Sequence, residues 1–259
     1  MQTITGRLTF TLILSMVAAG CGDDGGNTAT LDGGATVDTV AAADSVTTTP
    51  ATASFKQLKA YSAIKGKASL EATVTGVPAK LELLADAKVV ATLTAAPWTF
   101  SWDTSAQADG LVKLALKATN AGGSKTSDAV SVVLLNKGAE ITWKDGNSAT
   151  VIVPTSGYVE QHLRYHWDMP AGVTKVLAVL SWDKPGFKLE LAIGMGNCPD
   201  SGTVASRKES ETSPVLVTYP ESGAAALATG LWFGHVQLMN STKVLGKQTP
   251  FKIIGYLLK

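Results

Sequence analysis

The segment Val112-Lys-Leu-Ala-Leu-Lys-Ala118, closed by Asn120-Ala121-Gly122-Gly123, decides the fold class. Val112, Leu114, Leu116 and Ala118 fall on one parity and Lys113 and Lys117 on the other, so one side is apolar with a period of two. That is the signature of a strand with one face in a core, followed by a turn. Working outward, Leu70, Ala72 and Val74 alternate up to Gly76, Leu81, Leu83 and Ala85 follow, and Val130, Val132 and Leu134 close the series. No 3.6-residue period is sustained from Phe55 onward. Short alternating strands at such spacing predict a β-sandwich over residues 55–136.

Residues 137–259 repeat the texture. Strand candidates are Ala149 to Val153, Tyr158 to Asp168, Val173 to Asp183, Phe187 to Gly194, Pro214 to Tyr219, Leu231 to Met239 and Pro250 to Leu258. Seven or eight strands in about 120 residues predict a second sandwich, of jelly-roll type. The expected fold class is therefore all-β, with two tandem sandwiches.

The amino-terminal part has a different character. Arg7 and the apolar segment Leu8 to Ala19 have the layout of a secretory signal, residues 1–20. The segment is far shorter than the roughly 20 apolar residues of a spanning helix. Ala19-Gly20-Cys21 resembles the lipobox of bacterial lipoproteins, with Ala18 where that family usually has Leu or Val. The resemblance implies cleavage before Cys21, a diacylglycerol thioether and an acylated amine on it, and anchoring in the membrane by two or more chains. Gly22 in place of Asp implies, by the same resemblance, sorting to the outer membrane.

Residues 21–54 read as a disordered tether. Residues 22–54 hold five Asp, no Lys or Arg and no aromatic residue, too little apolar surface to offset ordering entropy. A flexible coil of this length reaches roughly 30–35 Å. Residues 55–259 carry 21 basic and 16 acidic side chains, a mild excess without the basic runs of a nucleic-acid footprint. Of the two cysteines, Cys198 is left without a partner in the chain if Cys21 is lipidated, and reads as a sheltered, inert thiol.

Two further resemblances rest on ordered pieces. Val74-Thr-Gly-Val-Pro-Ala-Lys-Leu-Glu-Leu-Leu, Ala96-Pro-Trp-Thr-Phe-Ser-Trp-Asp-Thr, Asp109-Gly110 and the strand ending at Asn120-Ala-Gly-Gly resemble a bacterial immunoglobulin-like domain. That implies Trp98, Phe100 and Trp102 as core and strand-edge aromatics. Ala87 stands where the family usually has the Gly of an Asp-Gly turn; Ala resists positive φ, so a longer or differently shaped turn is expected at Asp86 to Lys88. Lys175-Val-Leu-Ala-Val-Leu-Ser-Trp-Asp, Lys188-Leu-Glu-Leu-Ala-Ile-Gly, Gly230-Leu-Trp-Phe-Gly-His-Val and Pro250-Phe-Lys-Ile-Ile resemble pre-peptidase C-terminal domains and related jelly rolls. Phe187-Lys-Leu-Glu-Leu replaces their Asp-Leu-Asp-Leu run, so calcium ligation is not carried over.

No catalytic constellation emerges. His162 and His166 have the spacing of a helical zinc pair, but Leu163, Tyr165 and Trp167 share one parity and His162, Arg164, His166 and Asp168 the other. On a strand, four residues span roughly 13 Å, too far for one zinc with ligands at about 2 Å. A solvent-facing polar row is expected instead. Ser62-Ala-Ile-Lys65 matches a penicillin-enzyme pattern without the helix it needs, Gly194-Met-Gly196 precedes no phosphate-binding helix, and the Trp-Asp pairs at 102, 167 and 182 have no propeller period.

The expectation is a non-catalytic, lipid-anchored protein of the cell envelope. Its immunoglobulin-like stalk would present a binding module to an envelope protein or polysaccharide. The alternative is a lectin, with Trp167 or Trp232 as stacking platforms and His162, Arg164 and His166 as hydrogen-bonding partners. Core packing is the competing role for the tryptophans, since large aromatics dominate sandwich interiors. No cofactor, metal or nucleic acid is expected.

Overall fold

A computed structural model describes residues 49–155, 162–197, 203–223, 225–240 and 243–259. The signal segment, Cys21, nearly all of the tether and Cys198 lie outside the described residues. The protein is all-β, built as two sandwiches, and none of its helices is long and apolar enough to cross a membrane, among the described residues.

The first sandwich comprises β1 (Thr52–Phe55), β2 (Ala63–Ile64), β3 (Lys67–Thr75), β4 (Lys80–Ala85), β5 (Lys88–Leu93), β6 (Thr99–Asp103), β7 (Gly110–Asn120), β8 (Gly123–Thr126) and β9 (Val130–Leu134). One sheet has the order β1-β3-β6, the other β2-β9-β7-β4-β5, with β8 hairpinned onto β7. This Greek-key order is that of an immunoglobulin-like sandwich. The parity read from the sequence sets the core. Leu114 and Leu116 of β7 are fully buried beside Leu81 and Leu83 of β4, and Phe100 and Trp102 meet them from β6. Trp98 packs partly buried against the same cluster.

Two expectations are corrected in this sandwich. Thr52–Ser54 belong to β1 and not to the tether: Thr52 pairs with Thr75, and Ala51 is buried against Gly76. Composition asks whether a segment can build its own core, and an edge strand borrows one. The β4–β5 connection is a two-residue turn, not a longer one, with Asp86 at φ 46° and Ala87 at φ 65°. The Asp86 N–H donates to the Lys113 carbonyl, and its Oδ1 accepts from the Lys113 N–H, both at 2.9 Å. These bonds to β7 hold Ala87 in a left-handed conformation it would not choose alone. Ser62 sits in a turn, its hydroxyl donating to the Lys59 carbonyl at 2.7 Å, so no nucleophile-bearing helix begins there.

The second sandwich comprises β10 (Ala139–Glu140), β11 (Ser148–Ile152), β12 (His162–Met169), β13 (Lys175–Trp182), β14 (Leu189–Met195), β15 (Thr203–Ser210), β16 (Val215–Tyr219), β17 (Gly230–Leu238) and β18 (Gln248–Leu258). One sheet runs β11-β18-β13-β16, with β10 also on β18, and the other β12-β17-β14-β15. Eight antiparallel strands in these two orders form a jelly roll. Besides the two-residue β10, the strand missing from the sequence reading is β15, Thr-Val-Ala-Ser-Arg-Lys-Glu-Ser. It is a polar edge strand, and a register shift at Ile193/Gly194 of its partner breaks its alternation.

The sandwiches join through a buried apolar seam. Val133 and Leu135 of the first pack on Leu177, Val179, Tyr256 and Leu258, which stand on the outward face of β13 and β18. The connection itself is pinned by two side chains. Asp109 accepts hydrogen bonds from the backbone N–H of Asn136 (2.6 Å), Lys137 (3.0 Å) and Gly138 (2.6 Å). The Asn136 amide donates to the carbonyls of Thr104 (2.7 Å) and Gln107 (3.1 Å), and its Oδ1 accepts from the Gly66 N–H at 2.9 Å. These hydrogen bonds, most of them partly buried, fix the chain path locally.

Candidate binding sites

The residues singled out from the sequence lie on one sheet but on its two faces. Along β12, Leu163, Tyr165, Trp167 and Met169 point into the core, and His162, Arg164, His166 and Asp168 point away from it. The polar row expected from parity is present. Its members are engaged differently. His162 and Arg164 are exposed, whereas His166 is partly buried, with its Nδ1 2.7 Å from Asp145 Oδ2, the same oxygen that accepts its backbone N–H at 2.9 Å. The His166 hydrogen bond, first, and neighbouring positive charge hold the Asp145 carboxyl below the usual range. Lys144 pairs with Asp168 at 2.7 Å in the same stretch.

Cross-strand register adds a residue that the sequence reading passed over. Arg164 faces His235 of β17, and His162 faces Gln237, so His235 shares the outward face with the row. His162 Nδ1 and His235 Nε2 are 2.7 Å apart, with the rings within 9° of parallel. Burial, first, and the positive charges of His162 and Arg164 push the His235 pKa down to about 4. The signal was available in the sequence, since Trp232 and His235 have opposite parity and Trp232 belongs to the core.

The two tryptophans do not serve as stacking platforms. Trp167 is 1% and Trp232 3% exposed, because both lie on inward parities of paired strands, Trp167 facing Trp232 in register. Trp182 is buried as well, and Trp143 lies edge-on to Trp167, ring centroids 5.1 Å apart. A Cβ added at Gly234 or Gly255 would come within about 3 Å of the Trp143 ring, so both positions are bare to seat it. An indole covered on both faces has none to offer a sugar ring.

Trp232 contributes in another way. Its Nε1 donates to the Ala228 carbonyl at 2.9 Å, and both residues line a cavity of about 570 Å³. Tyr219, Leu227, Met195 and Val204 line it with Trp232, and Thr203 and Ser222 are the hydroxyl-bearing residues of the lining. Met195 is 43% and Val204 49% exposed. Among the described residues that line the cavity, none carries a charged side chain. Its size and its apolar walls with a few hydroxyls are those of a small-ligand or side-chain pocket.

No protein-family model matches the chain, and no curated protein matches it in sequence. Among solved structures, it is similar to the fibronectin(III)-like modules of Clostridium thermocellum CbhA, at 14% identity and a TM-score of 0.31, covering 70% of this chain and 91% of that one. It is similar also to a Bacteroides uniformis beta-glucuronidase, at 8% identity and a TM-score of 0.26, covering 81% of this chain and 30% of that one. A third similarity is to the C-terminal domain of the Streptococcus agalactiae AgI/II polypeptide BspA, at 9% identity and a TM-score of 0.24, covering 79% of this chain and 90% of that one.

Proposed function

We propose that this protein is a non-catalytic, lipid-anchored component of the bacterial cell envelope. Its jelly roll binds an uncharged group of an envelope partner in the cavity beside Trp232. The observation that carries the reading is that cavity, with apolar lining from Met195, Val204, Tyr219 and Leu227 and no charged side chain among the described residues that line it. The anchor is supported by the signal layout ending in Ala19-Gly20-Cys21, and the immunoglobulin-like sandwich then serves as the stalk. The apolar lining, with Thr203 and Ser222 as its hydroxyl-bearing members, favours an apolar side chain or chain segment over an ionic ligand. The lectin reading is the weaker one, because the tryptophan faces it needs are buried.

The seam between the sandwiches dictates how to test this. A fragment starting at Lys137 would uncover Leu177, Val179, Tyr256 and Leu258, so binding belongs on the whole chain. Globomycin-sensitive processing and membrane fractionation, with Cys21→Ala as control, test the anchor; a soluble product unchanged by Cys21→Ala would overturn it. A panel of purified polysaccharides separates the two binding readings. Saturable glycan binding lost in Tyr219→Ala would establish a lectin, and no glycan binding directs the search to a protein partner.

A further inference from the structure

All three histidines of this chain stand on the outward face of one sheet. Two of them present ring nitrogens to each other. His162 and His235 are diagonal neighbours on adjacent antiparallel strands, a relationship within reach for long side chains. Their rings lie nearly parallel, centroids 4.9 Å apart, and His162 Nδ1 is 2.7 Å from His235 Nε2. We propose that this pair is a binding site for a divalent late transition-metal ion, with His162 Nδ1 and His235 Nε2 as its two protein ligands.

Binding replaces the hydrogen bond between the two rings. Two imidazole nitrogens about 2.0–2.1 Å from one tetrahedral ion are about 3.3 Å apart with both lone pairs converging on it, so the nitrogens separate by about 0.6 Å and the His162 ring swings out of its near-parallel alignment with His235. His162 is exposed and near the start of β12, whereas His235 is held in the sheet, so His162 is the partner that moves. Binding selects the tautomers with protons on His162 Nε2 and His235 Nδ1, which frees both facing lone pairs. Imidazole ligands suit copper, nickel and zinc over calcium or magnesium. The charges on this face work in opposite directions. Arg164, opposite His235 in register, disfavours a cation, and the Glu190 carboxyl, opposite Gln237 on β14, favours one.

Among the described residues no cluster of three or more His, Cys, Asp or Glu exists, so the site rests on the two imidazoles alone. His166 provides an internal control, since it stands on the same face with its Nδ1 taken by Asp145.

The test is calorimetric titration of Ni(II) into the full chain, purified without a polyhistidine tag and with Cys21 and Cys198 replaced by Ser. One saturable site per chain is expected, with Cu(II) binding more tightly than Ni(II). Loss of even an outer-shell partner typically weakens a metal site about 10–100-fold, so His162→Ala and His235→Gln should each weaken binding at least about tenfold. His166→Gln should leave it unchanged. His162→Ala alters an exposed residue, so its result stands even if His235→Gln disturbs the sheet. No saturable binding to the parent chain, binding unchanged by His162→Ala, or an equal loss in His166→Gln would overturn the site.

Discussion

The Tyr256 hydroxyl donates a hydrogen bond to the Tyr61 carbonyl at 2.5 Å, tying the last strand of the second sandwich to a turn of the first. The phenol is buried in the apolar seam, and burial, first, with the nearby Glu140 charge, pushes its pKa up to about 12. Tyr256→Phe should cost about 1–2 kcal/mol, because it leaves the carbonyl without its donor. The pH dependence has a definite sign. A phenol with a raised folded-state pKa keeps its full contribution below about pH 10, the unfolded value, and loses it as pH rises toward 12. Urea unfolding at pH 8 and pH 11 should show the gap between the parent and Tyr256→Phe shrinking at the higher pH.

The seam also predicts an intolerant glycine. A Cβ at Gly138 would lie 2.0 Å from the Leu257 carbonyl oxygen and 2.9 Å from Asp109 Oδ2. Backbone cannot yield as a side-chain tip does, so Gly138→Ala should destabilise the protein by about 1–3 kcal/mol or more. Small-angle scattering of the same variant should show a larger radius of gyration as the junction loosens. An unchanged melting temperature and an unchanged scattering curve would contradict the clamp.

At the β4–β5 turn the direction reverses. Ala87 holds φ 65° at a methyl's cost, and glycine would relieve it. Ala87→Gly should raise stability by about 0.5–1 kcal/mol, after its greater unfolded-state entropy is counted. Thermal unfolding of the single variant checks this.

Trp167 is a core residue, so its loss should be felt as stability. Trp167→Ala should cost about 3–5 kcal/mol, whereas Arg164→Ala on the opposite face should stay within about 0.5 kcal/mol. Denaturant titration of the two variants side by side separates the faces.

The faces of β12 and β7 were legible in the sequence because a strand has a strict period of two, and Leu163/His166 or Leu114/Lys113 cannot exchange sides. The jelly roll was legible for a related reason: seven of its strands carry apolar runs. β15 was not, since a polar edge strand owes its place to hydrogen bonds with β14 and shows no apolar period. β1 escaped likewise. The candidate site was only half legible. Parity placed His162 and Arg164 outward, but the Asp145 bond of His166 and the His235 contact of His162 depend on cross-strand register over tens of residues. The cavity beside Trp232 was invisible to sequence, being assembled from β14, β15, β16, β17 and the loop before β17.

The central claim is that this cavity receives a partner in the envelope. A photoreactive amino acid at position 204, on the cavity wall, should give one discrete cross-linked adduct in intact cells, whereas the same amino acid at position 89, exposed on β5 of the other sandwich, should not. Ala226→Arg, which brings a charge into the apolar lining, should abolish that adduct without lowering the melting temperature. An adduct that persists in Ala226→Arg, or none from position 204, would contradict the account.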